Sequence, residues 1–292
     1  MDRYLFPATL AEALETLARY DGKARVIAGG TDLVLALEKS DALPTALVDI
    51  TRLAELGRLE RQGGDIYLGA AVTHAACASS SLIRETARCL AEACSSVGSP
   101  QIRQVGTVVG NLVNAQPAAD AAVALVALGA VVDVVSAQGK RQEQVENLCA
   151  GVGRSRIDST REIVTGVRFA ATKPGQASAF LRFSPRKAMA LPILNGAVWV
   201  SLQGEKVADV RIALGPVAPW PFRPRKAEET LRGARWDDLA AVEAAAVAAS
   251  QEATPRDSLL RGSAAYRLEL VRVLVRRVLK VALEQAAATR GA

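Results

Sequence analysis

The chain has 292 residues, of which 50% are hydrophobic and 23% are charged, and its formal net charge is +6. A chain of this length and composition can bury a substantial core, and we expect two or three packed units. Lys and Arg are spread along the chain among acidic residues and only 4% of the residues are aromatic, so no nucleic-acid partner is predicted.

No targeting or membrane-spanning pattern is visible in the sequence. No N-terminal stretch combines a positive start with a long apolar core, and the apolar run 121–135 is interrupted by Gly129 and Asp133. We therefore predict a cytoplasmic protein without a membrane span.

The first 56 residues have the pattern of a small βαβ unit. Thr9 followed three residues later by Glu12 is a capping-box signal, and the apolar spacing after it predicts a helix over residues 9–20. Strands joined by helices lie parallel, so this unit is predicted to hold a parallel sheet. Its predicted strands are residues 24–28 and 46–50, and its second helical stretch is residues 32–37.

A second unit, residues 57–172, is predicted to contain both strands and helices. A strand, turn and strand surround residues 62–65, and a glycine-punctuated segment over 98–111 is predicted to be a long loop made rigid by Pro100. The helices predicted in this unit are residues 73–79, 82–97 and 120–128, and the later strands are residues 131–136 and 162–169.

The remaining residues, 177–292, are predicted to form a C-terminal domain after a linker over 171–176. Its final helix carries an apolar stripe that packs either on this domain's own sheet or on a partner subunit. The predicted strands are residues 179–183, 196–202 and 207–214, and the first helix is residues 239–250. The apolar stripe of the final helix consists of Val271, Leu274, Val275, Val278 and Ala282.

Residues for acid–base or nucleophilic catalysis are scarce. The single histidine, His74, lies at a predicted helix start, which favours a structural role, and neither a Gly-x-Ser-x-Gly elbow nor a His-Glu-x-x-His helix is present. We predict no catalytic residue and no metal site on this chain. The cysteines form no CxxC pair and are predicted to be buried or unreactive thiols: Cys77, Cys89, Cys94 and Cys149.

Two glycine-containing segments are the strongest functional signals. The first, Val26–Leu33, contains the sequence Ala-Gly-Gly-Thr-Asp at the end of a predicted strand. The second, Val97–Asn111, contains three glycines. Glycines let backbone N–H groups approach a ligand closely, and such groups at a helix start bind phosphates. The first segment lacks the Gly-x-Gly-x-x-Gly spacing of the usual dinucleotide fingerprint, and a tight turn without a ligand is the alternative for it.

Together these segments resemble the flavin subunits or domains of the xanthine oxidase and carbon monoxide dehydrogenase group, the molybdenum hydroxylases. The matching residues are Ala28–Leu33, Val97–Arg103 and Gly106–Asn111, followed by Pro117 and Asp120. The resemblance extends over essentially the whole chain.

The resemblance implies an α+β protein. Two mixed α/β subdomains would form the FAD-binding fold shared with vanillyl-alcohol oxidase, followed by a C-terminal α+β domain with a small antiparallel sheet and helices. FAD would lie between the subdomains, with its pyrophosphate on the two glycine segments, Asp120 at a sugar-like part, Val164 or Val167 at the adenine and Arg182 near the cofactor. The implied cofactor-binding residues are Ile27, Ala28, Gly29, Gly30, Thr31, Asp32, Leu33, Val97, Gly98, Ile102, Thr107, Gly110, Asn111, Asp120, Val167 and Arg182.

The resemblance also implies an electron-transfer function in a heteromeric complex. A molybdopterin-binding large subunit would oxidise the substrate, and a small subunit with two two-iron clusters would pass electrons to the FAD of this chain, which delivers them to an external acceptor. A dimer of heterotrimers is expected. The alternatives are a free-standing flavin oxidase or dehydrogenase, with His74 and Cys77 as candidate groups near the ring, and a scaffold subunit that has lost FAD.

Three residues depart from the pattern of this group. Val109 replaces the first glycine of a Gly-Gly pair, and a β-branched residue does not readily take a positive φ. Either position 109 has an ordinary backbone angle or the loop is rebuilt. Ala190 stands where an Asp is common, and Pro192 is unexpected, so contacts of this segment to flavin or partner are predicted to differ.

Overall fold

The N-terminal unit is a three-stranded parallel sheet with the strand order β1-β3-β2. The structure is a computed structural model that describes residues 3–186 and 189–290. The strands and helices of this unit are β1 Arg3–Leu5, β2 Ala24–Ile27, β3 Ala46–Asp49, α1 Leu10–Tyr20 and α2 Leu33–Leu37. The parallel sheet predicted for this unit is confirmed, although the edge strand β1 was not predicted.

Helix α1 begins at the predicted cap. The Thr9 hydroxyl accepts a hydrogen bond from the Glu12 amide at 3.1 Å, and the Glu12 carboxylate accepts one from the Ala8 amide at 2.7 Å. Two free N–H groups of the helix start are thereby satisfied. The capping signal in the sequence is confirmed.

The second sheet has five antiparallel strands in the order β4-β5-β10-β6-β7. In β10 the register shifts between Val164 and Gly166, and a Cβ on Gly166 would lie 2.6 Å from the Tyr67 ring. A glycine at the bulge therefore leaves space for that ring. The strands, including a separate small hairpin β8–β9, are β4 Leu59–Gln62, β5 Asp65–Gly69, β6 Val131–Ser136, β7 Gly139–Gln144, β8 Cys149–Gly151, β9 Arg154–Ser155 and β10 Glu162–Ala170.

The segment between β5 and β6 is helical. The helix predicted over 82–97 is two helices that break at Ala87, and the long loop predicted over 98–111 is wrong, because this segment forms two short helices. The side chains of Ser99 and Thr107 cap the N-termini of these two helices. Pro100 is the first residue of a helix and does not stiffen a loop. The helices are α3 His74–Ser79, α4 Ser81–Thr86, α5 Arg88–Ser96, α6 Pro100–Val105, α7 Val108–Val113 and α8 Asp120–Ala127.

The C-terminal part has an antiparallel sheet with the order β11-β12-β13, and helices pack on one of its faces. The apolar stripe of the last helix is fully buried against this sheet, so of the two alternatives it packs on the chain's own sheet. The elements are β11 Gln176–Phe183, β12 Leu194–Gln203, β13 Lys206–Gly215, α9 Arg225–Leu231, α10 Leu239–Glu252 and α11 Ala264–Thr289.

Helix α8 joins the second and third sheets into one core. All eight of its residues are buried, and Trp199 and Ala213 from the other face of the C-terminal sheet belong to the same hydrophobic cluster. A helix that is apolar on every side is expected at such a position. Within residues 3–186 and 189–290, no helix is both long and apolar enough to cross a membrane.

Candidate functional site

A cleft of about 530 Å³ runs between the N-terminal sheet, helices α6 to α8 and the C-terminal part. Its wall is formed by the two glycine segments, by strand β10 and the segment before it, and by residues of the C-terminal part. The lining residues include Arg25–Leu33, Val97, Gly98, Ile102, Thr107, Val109–Asn111, Asp120, Ile157, Ser159, Glu162, Val164, Arg182, Met189–Pro192 and Arg261.

The first glycine segment lies directly against the backbone of the second. A Cβ on Gly29 would be 2.1 Å from the Val105 carbonyl oxygen, and Gly30 has a φ of +69°. Only glycine allows both the close approach and this backbone angle without strain. The Gly30 carbonyl then accepts the Val34 amide at 2.9 Å, which turns the chain into α2.

The start of α7 is fixed beside the start of α3. The His74 amide donates to the Gly106 carbonyl at 2.9 Å, and the Val108 amide donates to the Val72 carbonyl at 3.1 Å. The Thr107 hydroxyl accepts the Gly110 amide at 3.0 Å. The amides of Val108 and Gly110 are thus already used within the protein, and among the first amides of α7 that of Val109, at the wall of the cleft, is left to favour a negatively charged group.

Val109 does not disturb this arrangement. It lies inside α7 and is absent from the residues with positive φ, and its side chain is only 4% exposed. Of the two alternatives for this position, an ordinary backbone angle is the correct one.

Two polar side chains of the cleft wall can serve a ligand. The side-chain oxygen of Asn111 is buried and has no hydrogen-bond partner within the protein. Burial raises the pKa of Asp32, and a hydrogen bond from Asn114 opposes that rise. A buried acceptor without a partner costs free energy, so a ligand hydroxyl or amide that donates to Asn111 would stabilise the site.

Asp120, which is buried, and Arg182, which is partly buried, both line the cleft and form an ion pair. Arg182 Nη1 is 3.0 Å from Asp120 Oδ2, and Asn195 Nδ2 donates to Asp120 Oδ1 at 2.5 Å. Burial raises the pKa of Asp120 to about 6, against the opposing effects of Arg182 and Asn195. Arg182 also donates to the carbonyl oxygens of Ser96 and Ala190.

The segment 189–192 forms the wall that Arg182 supports. Ala190 and Pro192, at which the sequence departs from the family pattern, both line the cleft, and Lys187 and Ala188 lie outside the described residues. Met189 and Leu191 also line the cleft and are 57% and 65% exposed. This part of the cleft wall therefore has an apolar rim.

His74 is a buried, neutral group of the cleft wall. Its Nδ1 is 3.5 Å from Cys94 Sγ, and burial, with a smaller effect of Arg103, lowers the pKa of the imidazole to about 4. Cys77, Cys89 and Cys94 are buried, as predicted, and Cys149 is half-buried. Among the described residues no cluster of His, Cys, Asp or Glu is arranged to hold a metal ion.

The structure brings almost all of the predicted cofactor residues to this one cleft. The exception is Val167, which is fully buried in β10 between Leu68 and Val132, whereas its alternative Val164 does line the cleft. Sequence analysis missed several lining residues because they reach the cleft through long-range pairing, as in the 2.9 Å hydrogen bond from the Val26 amide to the Ser159 carbonyl. These are Arg25, Ile157, Ser159, Glu162 and Arg261.

The fold and the glycine-lined cleft define a FAD-binding flavoprotein. Residues 1–171 match the family model of the FAD-binding domain in molybdopterin dehydrogenase, and residues 179–282 match that of the CO dehydrogenase flavoprotein C-terminal domain. The chain therefore belongs to the family of FAD-binding subunits of molybdenum-hydroxylase-type dehydrogenases.

Individual relatives agree with this assignment. The chain is 34% identical to the nicotinate dehydrogenase FAD-subunit of Eubacterium barkeri, over 79% of each chain. It is 31% identical to the xanthine dehydrogenase FAD-binding subunit of Escherichia coli O157:H7, over 96% of this chain and 95% of the relative. A solved structure of carbon monoxide dehydrogenase from Hydrogenophaga pseudoflava superposes with a TM-score of 0.91 at 27% identity, covering 97% of this chain and 98% of that one.

Proposed function

We propose that this chain is the electron-transfer subunit of a heteromeric complex with a molybdopterin-binding large subunit and a small subunit that carries two two-iron clusters. Electrons from these clusters would reach the FAD of this chain and leave to an external acceptor. The bound flavin would supply the redox chemistry, while the protein binds it, orients it and excludes water. We further propose a cytoplasmic dimer of heterotrimers, with the chain divided at 1–56, 57–172 and 177–292.

The contact of Gly29 with Val105 is the observation that carries this proposal. It joins the two glycine segments along one cleft, so that amides of the first segment and of the start of α7 line the same space. A diphosphate has enough acceptor oxygens to use amides from both segments. The buried Asn111 oxygen without a protein partner is a second feature that fits a cofactor with several hydroxyl groups.

Two apolar parts of the cleft wall support one orientation of FAD. Ile157 and Val164, from β10 and the segment before it, offer an apolar surface to which we assign the adenine. Met189, Leu191 and Pro192, from the C-terminal part, offer apolar contacts to which we assign the larger flavin ring, and the exposure of Met189 and Leu191 leaves this part of the wall in contact with solvent. Apolar walls with a few placed polar groups are typical of cofactor sites.

Asp120 is proposed to contact the sugar-like part of the cofactor while it remains paired. Its carboxylate already accepts hydrogen bonds from Arg182 and Asn195, and a carboxylate can accept further hydrogen bonds. Arg182, in turn, holds the Ala190 carbonyl and so positions the wall against which the ring would lie. We therefore assign both residues to cofactor orientation.

The test is the visible spectrum of the purified chain, followed by acid release and quantification of the flavin. About one FAD per chain is expected, together with little turnover when the chain is isolated. The reduced flavoprotein would then be mixed separately with NAD, a quinone, a ferredoxin-like protein and oxygen, and rapid reoxidation identifies the acceptor. A colourless chain that does not take up added FAD would favour the scaffold function, and substrate turnover by the isolated chain would favour the free-standing oxidase.

A further inference from the structure

Arg261 is a cation of the cleft wall that comes from the C-terminal part of the chain. It lies in a tight turn in which the Gly262 amide donates to the Ser258 carbonyl at 2.9 Å and Gly262 has a φ of +86°. The turn holds position 261 at the cleft while Leu259 and Leu260 face solvent. Arg261 lies outside the segment that matches the FAD-binding domain.

The guanidinium of Arg261 lacks a compensating charge within the part of the chain that the structure describes. No carboxylate there lies within 4.0 Å of it, whereas Arg182, another arginine of the cleft wall, is paired with Asp120 and donates to two carbonyl oxygens. Burial and, to a smaller extent, the neighbouring Arg256 lower the pKa of Arg261, and burial, followed by Arg261 and Arg256, lowers the pKa of Arg267. Arg261 therefore has two further cations, Arg256 and Arg267, close to it.

A partly desolvated cation beside two like charges is stabilised by any anion that enters the cleft. FAD brings negative charge in two places. The pyrophosphate is always anionic, and the amides of the glycine segments are suited to it. The oxidised flavin ring is neutral, and its uptake of two electrons and one proton adds one net negative charge.

We propose that Arg261 interacts electrostatically with the flavin ring and stabilises its reduced, anionic form relative to the oxidised form. This inference rests on the proposed function, because it requires FAD with its ring beside the C-terminal part of the cleft wall. Arg261 thereby raises the reduction potential of the flavin. A cation near the ring is one of the ways in which a protein tunes a flavin.

The experiment measures the midpoint potential of the bound flavin by dithionite titration of the FAD-loaded chain against a reference dye. Arg261→Gln is compared with Arg261→Lys, which keeps the charge. Arg276→Gln is the matched control, because it removes an exposed arginine of α11 that pairs with Glu243 at the surface. In Arg261→Gln we expect the ratio of reduced to oxidised flavin at a fixed potential to fall about tenfold, as for the loss of a charge several ångströms away in a partly solvated site.

Thermodynamic linkage supplies a second readout. If Arg261 acts on the reduced ring, Arg261→Gln weakens binding of reduced FAD about tenfold more than binding of oxidised FAD. Arg261→Lys and Arg276→Gln should keep the wild-type potential. An unchanged potential in Arg261→Gln, or an equal loss of affinity for both forms of FAD, would overturn the inference while leaving the FAD assignment intact. A wild-type chain that binds no FAD would overturn both.

Discussion

Arg182 and Asp120 join two parts of the chain that are 62 residues apart in sequence, with 3.0 Å between the guanidinium Nη1 and the carboxylate Oδ2. Arg182 lies on β11 and Asp120 is the first residue of α8, so the pair connects the C-terminal sheet to the helix that packs between this sheet and the second sheet. Asp120 is buried and Arg182 is partly buried, and Asn195 completes the carboxylate's contacts. The pair fixes the C-terminal wall of the cleft relative to the glycine segments.

Asp120 should make the chain more stable in mild acid than at neutral pH. Its pKa is raised from 3.8 to about 6 in the folded state, so its contribution to stability is full below pH 3.8 and is lost as the pH rises through 6. The difference in unfolding free energy between wild type and Asp120→Asn, both without FAD, should be more favourable to the wild type at pH 4.5 than at pH 7.5 by about 2 kcal/mol.

Urea denaturation at the two pH values measures this difference. Asp120→Asn is a suitable variant because it keeps the shape of the side chain and replaces one carboxylate oxygen by an amide group. A difference that stays constant between pH 4.5 and 7.5, or one that favours the wild type at the higher pH, would show that Asp120 does not titrate as the buried pair predicts.

His74 should have the opposite effect over the same pH range. Its pKa is lowered from 6.5 to about 4 by burial, so its contribution is full above pH 6.5 and is lost as the pH falls towards 4. The advantage of wild type over His74→Gln should therefore be larger at pH 7.5 than at pH 4.5, by about 2 to 3 kcal/mol. The two groups partly cancel in the wild type, which is why each is best measured through its own variant.

The same urea series, applied to His74→Gln, distinguishes this account from simple loss of packing. A packing defect would lower the unfolding free energy by a similar amount at both pH values. A pH-independent difference would therefore contradict the assignment of His74 as a neutral group in the folded chain.

Local sequence signals predicted those features that depend on neighbouring residues. The Thr9 cap, the parallel N-terminal sheet and the glycine segments were all recognisable because their determinants lie within a few residues of each other. Only the combination of two segments about 75 residues apart made the cleft recognisable. Each glycine segment alone is compatible with an ordinary turn.

Features that depend on distant contacts were not predictable in this way. The short helices α6 and α7 were mistaken for a loop because their glycines outweighed the capping signals of Ser99 and Thr107. Ser159 reaches the cleft through a backbone hydrogen bond to Val26, and Arg261 does so through the C-terminal part. No local pattern marks either residue, since tertiary structure alone brings them to the site.

Gly29→Ala should separate the two glycine segments. The new Cβ would lie 2.1 Å from the Val105 carbonyl oxygen and 2.9 Å from the Gly106 Cα, and both obstacles are backbone atoms that cannot rotate away. We expect loss of at least about 2 kcal/mol of stability and at least tenfold weaker FAD binding. FAD titration followed by fluorescence, with thermal denaturation, measures both.

Gly57→Ala is the matched control for this substitution. A methyl group on Gly57 would meet no neighbouring atom within 4 Å, and Gly57 has no positive φ, so its replacement should leave FAD affinity unchanged. Equal affinities for Gly29→Ala and wild type would mean that the close contact between the segments is not needed for the cofactor.

Val109→Gly introduces the glycine that the sequence resemblance implies at this position and should nevertheless impair the protein. Val109 lies in α7 with an ordinary backbone angle, and its side chain belongs to the main hydrophobic cluster. The substitution removes buried apolar surface and places a glycine inside a helix, which together cost about 3 kcal/mol. Val109→Ala, which keeps the helix propensity, should lose less. Chemical denaturation and FAD titration of both variants test this: if Val109→Gly binds FAD markedly more tightly than wild type, the valine does restrict the site, and the accommodation of Val109 in α7 is not as complete as its backbone indicates.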